Sequence, residues 1–299
     1  MSFSSGDQYE IAASGYSCTV TQVGATLRSL SFHGRDLIES FSEREICPAA
    51  HGAFLFPWPN RIEKGSYLYE GNSYQLDISE PSTMSAIHGL CRWQPFVLTE
   101  WESDFISLSY ELYPTPGYPF HLGVSLSYKL RDDGLVVTTQ VENLGERRAL
   151  YGVGHHPYLS PGASYCADDV ILTIDAQTVC NRQVVDPLGR VVPPSAFAEG
   201  VSLRGLILDD TFSDLKRDKS TVSRVSITGG DKVTVEIWMD EHYRYVQIFS
   251  GDTLDSARRR KAVAIEPMTC PPQAFRTKEA VFEIAPQEMM DMRWGMRIK

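Results

Sequence analysis

The chain of 299 residues has no long apolar run, no Cys-x-x-Cys pair, no internal repeat and no sustained helical periodicity. No apolar stretch approaches the roughly 18 residues that span a bilayer as a helix, so a helical membrane protein is excluded. The cysteines Cys18, Cys47, Cys91, Cys166, Cys180 and Cys270 are scattered, without zinc-type clustering. The first residues, Met1 to Asp7, show neither the basic nor the apolar segment of a secretory leader. Free thiols in a reducing compartment, and therefore a cytoplasmic location, are expected. Basic charge is also scarce: 28 Lys and Arg stand against 38 Asp and Glu, for a net charge of −10. That balance gives no electrostatic case for nucleic acid or an anionic membrane as partner. The one basic run, Arg258-Arg259-Arg260-Lys261, precedes the apolar Ala262-Val263-Ala264-Ile265 and reads as a solvated loop entering a strand. With 42% hydrophobic and 22% charged residues the composition is ordinary and argues against disorder. A single domain over residues 1–299 is expected, since all-β folds often run well past about 200 residues as one unit.

What the chain has in quantity is period-two alternation. Residues 125–130 alternate polar and apolar, break at Asp132-Asp133-Gly134 and resume over 135–141, which is a hairpin with turn residues in place. The pattern recurs on either side of Glu70-Gly71-Asn72 and of Gly229-Gly230-Asp231. It recurs again over residues 9–13, 17–23 and 26–32. Only residues 209–216 offer one or two helical turns, with Asp209 or Asp210 as a cap after an apolar strand at Leu206-Ile207-Leu208. The 17 prolines and 22 glycines fall mostly between strand candidates. The fold class is all-β, a large antiparallel sandwich or barrel with few and short helices. Its loops and concave sheet face are the expected place for a site.

Four segments combine unusual side chains with stiff backbone. In Gly152-Val153-Gly154-His155-His156-Pro157-Tyr158-Leu159, the proline forces His156 into an extended conformation. Neighbouring side chains then point to opposite faces, so one histidine should face a cleft and the other should be structural. A satisfied core histidine is the competing explanation. In Val263-Ala264-Ile265-Glu266-Pro267, a carboxylate ends an apolar strand. Burial there raises its pKa toward that of a general base, unless an arginine pairs with it structurally. In Phe56-Pro57-Trp58-Pro59-Asn60-Arg61-Ile62, two prolines stiffen a segment whose Trp could stack on a sugar while Asn and Arg donate to hydroxyls. The alternative is a loop salt bridge over a core Trp. Finally, His88 directly before Gly89 marks a turn or close backbone approach, though a lone His there is more often structural.

Together these motifs resemble the aldose 1-epimerase (galactose mutarotase) family. The resemblance is carried by Asn60-Arg61-Ile62, His88-Gly89, His156-x-Tyr158-Leu159, Asp209-x-x-Phe212 and Glu266, in the family's order and across nearly the whole chain. It implies a galactose-mutarotase-type β-sandwich acting on a free hexose at its anomeric carbon. On that resemblance Glu266 is the general base at the C1 hydroxyl and His156 the general acid at the ring oxygen. Arg61 and His88 position the sugar, Asp209 binds its hydroxyls, and Asn60 lies beside them. No cofactor or metal is implied; the partner is a small-molecule aldohexose, and the protein is a monomer or homodimer. Two departures bear on specificity. The last motif reads Pro272-Gln273-Ala274-Phe275 where the family often has Pro-Asn-Ala-Phe, and Pro157 replaces an often small polar residue. A hexose-6-phosphate 1-epimerase is one alternative, with Arg61 and Arg92 the only cations near the motifs to meet a phosphate. A non-catalytic sugar-binding protein is another, but it need not keep both His156 and Glu266. A metal hydrolase using His51, His88 and His156 lacks the close ligand spacing of such sites.

Overall fold

Residues 3–180 and 182–299 are described in the computed structural model of the chain. Alternating burial builds the larger sheet. Leu122–Arg131 and Gly134–Asn143 pair antiparallel from Leu122↔Asn143 to Arg131↔Gly134 without a register shift. Every second residue of Leu122–Arg131 is buried, as a strand with one face on a core requires. The sheet has nine strands. From one edge they are Val97–Trp101, Phe105–Leu112, Leu122–Arg131, Gly134–Asn143, Met289–Ile298, Thr234–Met239, Ser223–Thr228, Ile171–Ile174 and Val201–Ser202.

A second sheet lies against the first, in the order Ala176–Val179, Asp209–Leu215, Tyr245–Phe249, Val263–Met268, Gly154–His155 and Phe54–Leu55, with Tyr158–Leu159 also pairing with Val263–Met268. All of Val263–Met268 is buried, because the strand is covered on both faces. The core fills the space between the sheets: Val137, Ile237 and Trp294 from the larger belong to one cluster with Phe212, Val246 and Ile265 from the smaller. The N-terminal strands Gln8–Ala13, Tyr16–Thr21, Leu27–Phe32 and Arg35–Asp36 form their own antiparallel sheet. Among the described residues the one α-helix is the four-residue Ala274–Thr277, and no helix is long and apolar enough to cross a membrane. The all-β sandwich with few and short helices is therefore the observed fold.

Three local expectations need correction. Asp209–Leu215 is a strand and caps no helix. Its polar side chains find partners across the sheet, Gln247 for Asp209 and Thr211 and Arg182 for Asp210, so pairing overrides local preference. Leu206-Ile207-Leu208 is no strand but the approach to it, fastened where the Leu208 N–H donates to Ser250 Oγ at 2.8 Å. The basic run is a loop, yet not a solvated one throughout. Arg258 bonds Glu39 and Glu45, Arg260 bonds Asp168 and Asp252, and their side chains are only 14% and 13% exposed.

Gly89 has φ +74°, and a Cβ there would lie 2.0 Å from the Phe56 carbonyl oxygen. The Phe56 carbonyl is itself held there, accepting from the Leu90 N–H at 2.7 Å and the Cys91 N–H at 3.2 Å. Gly89→Ala should destabilise the protein by more than about 1 kcal/mol, read as a lowered urea midpoint. An unchanged midpoint would show that this close approach is not a constraint.

Candidate active site

The strand Val263–Met268 sends Val263 and Ile265 into the main core. Ala264 joins Tyr158 in a separate cluster, so alternation turns Glu266 to that second face of the sheet. Register sets Thr211 beside Gln247 and Gln247 beside Glu266, a polar row across three neighbouring strands. Gly154–His155 lies next to this strand, and the two histidines part as alternation requires. His155 faces inward, with Nε2 3.2 Å from Thr139 Oγ1 and its ring among Phe54, Tyr243 and Trp294. His156 faces outward, with Nε2 3.2 Å from Glu266 Oε1. Its ring stacks on Tyr158 at 5.0 Å, and Tyr158 stacks on His51 at 3.7 Å.

A cavity of about 400 Å³ opens over this face. It brings together Asn60, Arg61, His88, His156, Asp209 and Glu266, all the site residues expected from sequence. Arg92, Trp93, Tyr158 and Phe249 complete much of its wall. Trp58 is not in it: that ring is buried beside Phe275 and Tyr118, so the core-Trp reading holds there. The aromatic wall comes instead from Trp93, Tyr158 and Phe249. His51 is spent elsewhere, with Nε2 3.1 Å from Glu39 and Nδ1 2.7 Å from the Pro48 carbonyl.

Each polar group at the cavity is held by a second one. Arg61 grips Glu80 bidentately, Nε to Oε2 at 2.6 Å and Nη2 to Oε1 at 2.9 Å. The Asn60 N–H donates to His88 Nδ1 at 3.1 Å. That bond makes Nδ1 an acceptor and leaves the proton of a neutral His88 on Nε2. Asn60 sits at φ +55°, a left-handed conformation that asparagine tolerates, and its Oδ1 accepts from the Arg61 N–H at 2.8 Å. Gln247 donates to Asp209 at 2.6 Å and accepts from the Thr211 hydroxyl. Gln273 serves the scaffold: its Oε1 accepts from the Glu63 N–H at 2.8 Å, and its N–H donates to the Arg61 carbonyl at 2.8 Å. Gln247, Glu80 and Trp93 were not singled out from sequence. A lone polar residue in the apolar Tyr245–Phe249 is the same signal that marks Glu266, and it would have found Gln247.

Burial governs the charges. Glu266 is 2% exposed, and desolvation, with the nearby Asp209 charge, raises its pKa well above the carboxylate range against a smaller opposing effect of Arg61. Desolvation likewise pushes His156 down to about 3 and lowers His88 well below its usual value. The short Nε2–Oε1 contact has ion-pair geometry, yet both shifts favour uncharged partners. Desolvation outweighs the attraction, because no second hydrogen bond compensates either charge: Glu266 Oε2 and His156 Nδ1 are buried without a partner. Whichever atom carries it, the pair holds one proton across the neutral range.

His155 is pushed down to about 3 by desolvation alone. In the unfolded chain its pKa returns to roughly 6.5, so below that the unfolded state binds a proton the native state refuses. The stability it contributes is complete above about 6.5 and lost as pH falls toward 3. His156 and Glu266 act with opposite signs, which makes His155 the clean reporter. His155→Leu should flatten the fall in stability between pH 6 and 4 by up to roughly 1.4 kcal/mol per pH unit, followed by urea midpoints. An identical slope in the variant would mean His155 is protonated in the native protein.

The His156–Glu266 contact thus lies buried at the floor of an open cavity, ringed by polar side chains, on the outer face of a β-sandwich sheet. The chain belongs to the aldose 1-epimerase family, whose model matches residues 7–294. It is 33% identical over 282 residues to YihR of Escherichia coli (strain K12), covering 91% of this chain and 87% of that protein. It is 24% identical over 290 residues to the galactose mutarotase of Sus scrofa, covering 87% and 80%. In fold it is similar to the GalM/aldose epimerase homologue from C. elegans, with TM-score 0.83, 18% identity and 98% of each chain covered.

Proposed function

We propose that the chain is a cofactor-independent aldose 1-epimerase that interconverts the α and β anomers of a free aldose. The contact of His156 with Glu266 in the open cavity is the observation that carries this reading. Glu266 as carboxylate takes the proton of the C1 hydroxyl. The O1 electrons form the carbonyl as the C1–O5 bond breaks, and O5 takes the proton of the His156 imidazolium. Half a turn about C1–C2 presents the other carbonyl face, and the same transfers in reverse close the ring to the second anomer. Atoms and charge balance without another reactant.

Burial supports this direction of flow. Opening the ring turns the carboxylate and imidazolium into a carboxylic acid and a neutral imidazole, the uncharged forms that desolvation favours. Glu266 is thereby a stronger base, and His156 a stronger acid, than either would be in water. The Nε2–H of His88 and the free N–H groups of Arg61 suit the ring-oxygen region, while Asp209, braced by Gln247, accepts from sugar hydroxyls. Asn60 acts through His88 and Arg61, by fixing the tautomer of one and the backbone of the other. A protein that only binds sugars has use for the hydroxyl-binding ring but none for two buried titratable groups in contact, whose burial costs stability.

Anomer exchange of freshly dissolved α-D-glucose, α-D-galactose and their 6-phosphates, followed by polarimetry or NMR, tests the reading. At least one aldose should exchange faster with the protein. Glu266→Gln should abolish the acceleration, and His156→Asn should lower it about 10²–10⁴-fold. Full activity in Glu266→Gln would sink the mechanism.

A further inference from the structure

We infer that Arg92 makes one end of the cavity a subsite for a singly charged oxyanion on C6 of the sugar, a carboxylate or a sulfonate. The inference rests on the anomeric reading above and narrows its substrate. Two arginines line the cavity, and they differ in one respect. Arg61 has its charge balanced by the bidentate Glu80. Arg92 has no carboxylate within 4 Å among the described residues. Its Nη2 donates to the Ile87 carbonyl at 3.2 Å, its buried Nε has no acceptor, and its guanidinium lies 5.2 Å from the Trp93 ring centre. The Cys47 thiol nearby is pushed up to about 12 by burial and supplies no counter-charge. A largely buried cation that keeps an unused donor and faces a cavity is costly unless a ligand completes it.

Position selects the sugar carbon. Arg92 Nη2 bonds the carbonyl of Ile87, the residue before His88, whose ring lies 5.4 Å from that of His156, and His156 in turn touches Glu266. The order across the cavity is thus Glu266, His156, Arg92. With Glu266 at the C1 hydroxyl and His156 at the ring oxygen, the next substituent outward is the one on C5, which is C6 and its group. Charge selects the anion. The Arg61–Glu80 pair is self-compensated, and the His156–Glu266 pair shares one proton. Among the described residues Arg92 is the cavity arginine without a carboxylate in contact, and it lies outside the adjoining pocket that Arg61 and Asp209 share with Gln247. One guanidinium balances one charge bidentately. A phosphate ester, with about −1.5 to −2 at neutral pH, would leave part of its charge uncompensated within electrostatic reach of the Glu80 carboxylate.

The test is NMR anomer exchange on glucose, glucuronate, the 6-sulfonate of glucose and glucose 6-phosphate, with wild type, Arg92→Gln and Arg92→Lys. Wild type should show a kcat/KM for one of the two monoanions at least about tenfold above glucose and above the 6-phosphate, a preference of roughly 1.4 kcal/mol. Whichever monoanion leads identifies the group. Arg92→Gln should lower the monoanion-to-glucose ratio at least about tenfold, chiefly through KM, and Arg92→Lys should restore part of it. A preference for glucose or the 6-phosphate, or a ratio unchanged in Arg92→Gln, overturns the inference. If wild type exchanges no sugar, the anomeric reading fails and titration with the same sugars decides the subsite separately. Monoanion binding that Arg92→Gln abolishes then upholds the subsite, and its absence overturns it.

Discussion

Everything at this site depends on one contact, an imidazole nitrogen and a carboxylate oxygen 3.2 Å apart where water is nearly excluded. In water the carboxyl would be fully ionised at neutral pH and the imidazole would titrate independently at about 6.5. Here neither charge is solvated, so the two groups compete for one proton and the uncharged form of the pair is favoured. A pair poised in this way can exchange protons with a bound hydroxyl and ring oxygen while the total charge of the cavity stays constant. That constancy matters, since a change of net charge in a desolvated site is the most expensive step available to it.

The fold exists, at this locus, to hold those two groups still. Glu266 is on a fully covered central strand flanked by Tyr245–Phe249 and Gly154–His155. His156 is the residue after a strand whose last side chain, His155, is wedged among aromatics between the sheets. Tyr158 and His51 continue the stack behind His156, and His51 is tied in turn to Glu39. Glu39 also receives Arg258, so the basic run of the sequence ends as the outer anchor of this column. Placing reactive groups on strands rather than loops gives orientation at low entropic cost.

Much of this was legible in the sequence, because it rests on local rules. Alternation assigned the hairpins, and alternation plus Pro157 separated His155 from His156. The same reasoning failed at residues 209–215, where adjacent polar side chains look like a helix start until partners on other strands are known. Trp58 could not be told from a sugar platform, because its neighbours Tyr118 and Phe275 are distant in the chain. For the same reason the difference between Arg61 and Arg92 was invisible: it lies in which one Glu80 reaches. Long-range pairing is what a one-dimensional pattern omits.

The central claim is that burial leaves the His156–Glu266 pair with one shared proton that rests on Glu266 when the cavity is empty. The most direct measurement is the infrared difference spectrum between wild type and Glu266→Gln, recorded without sugar at neutral pH. The carbonyl stretch of a protonated carboxylic acid is expected in wild type and should be missing from the variant. A carboxylate signal with no acid band at neutral pH would contradict it, and would mean that Coulomb attraction outweighs desolvation in this pair.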